Sequence, residues 1–250
     1  MCCFTGTVQA VAFTKIFARP LRDGNQLLVY SMTVDVKNEL AMVLPIPVPK
    51  NSKESAVRFI NFKDYPEFFR DLDDGFPRLG SAPTGAAGGI SRAKTAAPPL
   101  EVHQVGSFEA SFVPKVADFA RLDARFRLRD GVWEQLPVYV DYGFAVFKLK
   151  PGQQKVHPMA FTFPRANPKQ IFFPTVHVHD GEVHATADFD HMLYFQLSDA
   201  DYSPKQGWLE STVPAGMHLK MRLLGDLVDG GLHCYRRGIR GQQKNADIVI

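Results

Sequence analysis

The chain has 250 residues, 45% of them apolar, and 29 basic against 26 acidic side chains leave a formal charge of +3. That is enough apolar matter for a buried core, and β sandwiches and barrels reach roughly 200–250 residues as single units, so residues 1–250 are read as one domain. The charge bias is too weak for a nucleic-acid partner, which calls for a clustered basic face.

No run of about 18 apolar residues exists, so no membrane-spanning helix and no membrane partner is expected. The opening MCCFTGTVQAVAF lacks the basic start and long apolar stretch of a secretory signal. Three cysteines, two of them adjacent, make no disulfide framework, and a reducing, cytoplasmic location is expected.

In chain order, Val11–Ala18 and Gln26–Thr33 read as a strand pair joined by Arg22-Asp23-Gly24-Asn25, where Gly and Asn accept positive φ cheaply. Leu40–Val48 is a further strand. Its Pro45, Pro47 and Pro49 remove alternate donors and place it at a sheet edge or in an extended connection. Asp64–Leu72 has helical spacing, with Asp64 as cap and Phe68, Phe69 and Leu72 on one face. Gly80–Pro99 holds almost nothing large and is expected to be a flexible loop, residues 80–99. Glu101–Val113 reads as one or two strands and Val116–Phe126 as a helix. Tyr142–Leu149 alternates like a half-buried strand, and Met159–Phe163, Ile171–His179 and Glu182–Phe195 follow as strands. The order predicts an α+β fold of mostly antiparallel β sheets, two packed sheets or a sandwich, with a few short helices.

The segment from Thr175 to Thr186, TVHVHDGEVHAT, carries the chemistry. Asp180-Gly181 between two alternating runs is a strong signal for a two-residue hairpin turn. With that turn, His179 faces Glu182 and His177 faces His184, and all four project from one face. Opposed Cβ atoms lie roughly 4.5–5.5 Å apart, close enough for imidazoles to surround one ion. His177, His179 and His184 are therefore candidate ligands of a transition metal, Zn, Cu or Fe, with Glu182 as fourth ligand or general base. Thr186, Asp188 and Asp190 continue the polar face. The same alternation also describes a sheet face that is merely wet. His103, His157, His191, His218 and His233 are scattered and read as structural or surface residues.

The start offers a second chemistry. Removal of Met1 leaves Cys2 with a free α-amino group, whose pKa near ~7.7–8.0 lets it act as base for its own thiol. Cys2 and Cys3 are alternatively metal ligands folded over the histidine face, or buried small apolar residues opening the first strand.

Two resemblances accompany these readings. The Cys start followed by Ile16-Phe17-Ala18-Arg19 is similar to cysteine N-terminal-nucleophile hydrolases of the penicillin V acylase and bile-salt hydrolase type. That implies Cys2 as nucleophile and Arg19 in the active site, although the downstream Asn–Arg pair is not apparent. Over residues 2–178 the order of Cys2-Cys3-Phe4, Met42–Pro49 (MVLPIPVP), Val105–Val113, Val116–Phe126, Tyr142–Pro151, Pro158–Pro164 and Ile171–Pro174 resembles an uncharacterised bacterial family, usually exported. Its marks are an N-terminal Cys and a Val-Leu-Pro-x-Pro strand. It implies a β-rich fold and no activity.

Three functions stand as expectations. The first is a metal-binding protein, as a metal-dependent enzyme acting on a small-molecule or peptide substrate. The second is an amidohydrolase using Cys2. The third is a non-enzymatic β-sheet binding module.

Overall fold

The computed structural model describes residues 3–77, 102–105, 108–155, 157–197 and 207–250. Met1, Cys2 and the stretch Gly80–Pro99 lie outside the described residues. The strands are β1 (Cys3–Phe4), β2 (Ala10–Pro20), β3 (Asn25–Val36), β4 (Leu40–Ile46), β5 (Arg58–Ile60), β6 (His103–Val105), β7 (Phe108–Val113) and β8 (Gly143–Leu149). They continue with β9 (Gly152–Lys155), β10 (Met159–Pro164), β11 (Phe172–Phe173), β12 (Thr186–Phe195), β13 (Leu209–Glu210), β14 (Tyr235–Lys244) and β15 (Ile248–Val249). The α-helices are α1 (Phe68–Asp74) and α2 (Met221–Leu224).

The fold is α+β on two packed sheets. The smaller sheet runs β1-β4-β8-β7-β6 and the larger β13-β14-β12-β2-β3-β10-β5, with β9 also on β3. The described ladders are antiparallel except that β12 runs parallel to β2. Strand parity builds the layers, because successive side chains point to opposite faces. Ile16, Leu28 and Tyr30 from the larger sheet meet Met42, Leu44, Ala145 and Phe147 from the smaller between the sheets. Phe17, Leu27 and Val29 point the other way, onto Phe68, Phe69 and Leu72 of α1. Ala41, Val43, Phe144 and Val146 form the outer face of the smaller sheet, covered by Phe119, Val132 and Tyr139. Both faces of the central strands are thus covered, which is why β4 reads as an unbroken apolar run.

Several expectations change. β8 is buried on both faces rather than half-buried. α1 starts at Phe68, and Asp64 does not cap it: the cap position is Glu67, which makes no side-chain cap bond. Val116–Phe126 is two 3₁₀ segments, Val116–Arg121 and Ala124–Phe126, in place of one helix. Between them Leu122 is extended, the Asp123 carboxylate caps the second segment through Arg125 N, and the Arg127 guanidinium takes the carbonyls of Ala120 and Leu122. β4 is flanked on both sides, but β1 covers only Met42 and Val43, so Pro45 meets a ladder only on its β8 side. Of Ile171–His179 only Phe172–Phe173 is a strand, and the last expected strand begins at Thr186, not Glu182.

Candidate functional site

The backbone from Thr175 to Ala185 joins β11 to β12 without a ladder between its own two limbs. Its partners come from the C-terminal arm. Asp247 Oδ1 accepts from Thr175 N at 2.7 Å and Val176 N at 2.9 Å. Asn245 Oδ1 accepts from His177 N at 2.7 Å, while its Nδ2 donates to His177 O at 2.8 Å and His184 O at 2.9 Å. On the other side Phe4 N donates to Val178 O at 2.9 Å, so β1 lies against this segment. The turn is made by Asp180, whose carboxylate accepts from Glu182 N at 3.0 Å, and by Gly181 at φ +84°.

The expected two-residue hairpin is therefore absent. His177 and His184 meet through the amide of Asn245 rather than by direct pairing, because side chains more than sixty residues away supply the hydrogen bonds a ladder would have used. The expected common face is split as well. His177 is only 6% exposed and stacks on His179, ring centroids 5.0 Å apart and 12° from parallel. Its other neighbours are Phe189 at 4.3 Å and His191 at 5.2 Å, both on the inward face of β12 and opposite in parity to Asp188 and Asp190. Asp190 turns elsewhere and accepts from Phe13 N at 2.6 Å, where a bulge in β2 holds Phe13 at φ 55°.

His184, Glu182 and Asp180 are exposed, with His184 Nε2 2.9 Å from Asp180 Oδ2. All three candidate histidines nevertheless line one open cavity of about 380 Å³, together with Asp180, Asp188 and Asn245. The Nε2 atoms of His177 and His179 are buried with no hydrogen-bond partner among the described residues.

Burial sets the charges. Desolvation pushes the His177 imidazole down to about 2 and that of His179 down to about 4, and lowers His191 further still, so all three are neutral at pH 7. Outside, the hydrogen bond to Asp180 raises His184, and the same bond lowers Asp180. Neutral imidazoles offer a lone pair to an ion, which is the ligating form. Among the described residues, Asp180, Glu182 and His184 form a group whose donor atoms all lie within 4.8 Å of one another.

The remaining candidates stand apart. Cys3 is buried in the apolar layer with Val43, Val176 and Val178 and is not among the cavity-lining residues, whereas the Phe4 ring meets His179 edge-on at 5.5 Å. Cys2 lies outside the described residues. His218 bonds Asp71 O at 2.9 Å and His233 bonds Ser211 O at 2.8 Å, both structural contacts. Sequence reasoning missed Asn245 and Asp247, while His191, read as structural or surface, is buried on the apolar face of β12. For His191 a signal existed: Phe189, His191 and Leu193 share the parity of the apolar face.

No family model and no curated protein matches the chain. Several chains of solved structures match in fold, two of them as follows. Baculovirus P35 superposes with a TM-score of 0.50 at 13% identity, over 99% of this chain and 98% of that one. A mutated baculovirus P35 after caspase cleavage gives 0.50 at 14% identity, over 94% and 98%. At that identity the likeness is one of fold, and it runs nearly from end to end of both chains.

Proposed function

We propose that this chain is a protein-binding module, a ligand of a cysteine protease of the caspase class, whose sheets keep it one molecule when the chain is cut between residues 77 and 102. The reading takes up the binding-module alternative of the sequence. One observation carries it. The pairs β4–β8, β2–β12, β3–β9, β3–β10 and β5–β10 each join a strand ending before residue 77 to one beginning after residue 102. A cut anywhere between those positions leaves every one of these ladders intact. The two pieces would also still share the inter-sheet core, where Tyr30 and Met42 of one meet Phe147 and Phe161 of the other. Each fully buried side chain of that size contributes roughly 1.5–3 kcal/mol, so the pieces are bound as tightly as the halves of a folded domain. The stretch Gly80–Pro99, made mostly of Gly, Ala and Pro, lies in that interval; such stretches are preferred sites of nicking, and the interval offers the basic residues Arg78, Arg92 and Lys94 but no aspartate.

The likeness to P35, of which one solved form is described as cut by a caspase, supports the reading at the level of fold. The roles expected of Glu182 as base and Cys2 as nucleophile have no part in it. The test uses a caspase whose catalytic cysteine is replaced by alanine, mixed with this chain and resolved by gel filtration. Co-elution in a fixed ratio is the expected result. Separate elution at concentrations of tens of micromolar would exclude a protease partner of this class.

A further inference from the structure

The histidine cavity has no role in that proposal, and its chemistry is specific. Its floor carries two imidazole nitrogens, His177 Nε2 and His179 Nε2, both buried and unpartnered among the described residues. A buried polar atom without a partner is costly, and native structures retain one chiefly where something else satisfies it. His177 is 94% removed from solvent by its 6% exposure, and its ring is fixed between His179 and Phe189. Its backbone is fixed as well, by Asn245 on both N–H and carbonyl. The mouth of the same cavity carries His184 and Asp180, each with a side chain 55% exposed and so able to change rotamer.

We propose that this cavity is a binding site for one divalent transition ion of the Zn²⁺ type, held by His177, His179 and His184 with the Asp180 carboxylate as fourth donor. Three imidazoles and a carboxylate suit Zn²⁺, which takes four such ligands at about 2.0–2.2 Å. Among the described residues no three donor atoms that include those of His177 or His179 lie within 4.8 Å of one another, so the four donors gather only when the mouth side chains turn inward over the floor. The mouth closes by rotation of its two exposed side chains, since Asp180 and His184 already touch at 2.9 Å. Arg129, whose side chain passes over Gly181, lies outside the donor set.

The experiment titrates Zn²⁺ alone, by calorimetry, into the full-length chain freed of metal with a chelator, and repeats the titration with Co²⁺ to read the visible absorption of a four-coordinate site. The wild type should take up one equivalent. His184→Ala, at an exposed position that leaves the core untouched, should weaken binding at least about tenfold. His179→Ala combined with His184→Ala should abolish it. His233→Ala, remote from the cavity, should leave it unchanged. Circular dichroism on each variant separates lost binding from lost folding, and His184→Ala decides the matter if the floor variants unfold. No saturable uptake by the wild type, or undiminished affinity in His184→Ala, would overturn the assignment.

Discussion

Lowering the pH from 7 to 5 should destabilise the metal-free protein through the two floor histidines. In the unfolded chain each titrates near 6.5, whereas in the folded protein burial holds His177 down to about 2 and His179 to about 4. Between these values the unfolded chain binds protons that the folded one does not, so stability falls as pH falls, beginning near 6.5. One pH unit in that window is about 1.4 kcal/mol per group, so at pH 5 each histidine costs about 2 kcal/mol and the pair about 4 kcal/mol. For a domain whose whole stability is of order 5–15 kcal/mol that is a large fraction. Other groups titrate too: burial lowers His191 as well, which adds in the same sense. Burial raises Asp247, which works in the opposite sense because the folded state then holds the proton more tightly. The assay is therefore a difference: urea unfolding at pH 7 and pH 5, with chelator, for wild type and for His179→Gln. The variant should lose about 2 kcal/mol less than the wild type across the interval. Equal losses would refute the claim that a buried neutral imidazole at residue 179 controls acid stability.

Asn245→Ala removes three hydrogen bonds that replace a ladder, stranding the N–H and carbonyl of His177; a loss of about 2–4 kcal/mol in urea unfolding is expected, and a loss under 1 kcal/mol would mean water takes over the amide's role. Gly143→Ala places a Cβ 2.5 Å from Phe112 Cε2 inside the covered face of β8, and should cost more than about 2 kcal/mol or fail to fold, as read by thermal melting. Burial pushes the Cys234 thiol up to about 12, so peptide mapping after iodoacetamide treatment of the native protein at pH 8 should find Cys234 unmodified, and modified only after denaturation.

Much of the β architecture is legible in the sequence because strand period and turn chemistry are local. Asp23-Gly24-Asn25 marks the β2–β3 turn, and Gly24 indeed takes φ +85°. What is not legible is set by partners distant along the chain. Nothing near Thr175–Ala185 announces that Asn245 and Asp247 will satisfy its backbone, so an Asp-Gly pair that favours a hairpin makes an Asx turn in a clamped loop instead. Val116–Phe126 has the spacing of a helix, but Asp123 and Arg127 compete for its backbone groups and break it at Leu122. The candidate ligands His177, His179 and His184 do share one cavity, although by a route other than pairing across a hairpin. His191 escapes a search for polar stripes because it sits on the apolar one.

The central claim is that the sheets keep this chain one molecule when it is cut between residues 77 and 102. It is tested most directly by mass spectrometry of the chain after brief treatment with trypsin, which has Arg78, Arg92 and Lys94 in that interval, under native and then denaturing conditions. The account predicts cuts between residues 77 and 102, with two large fragments that stay together under native conditions and separate only in denaturant. An uncut chain, or fragments that separate under native conditions, would contradict it.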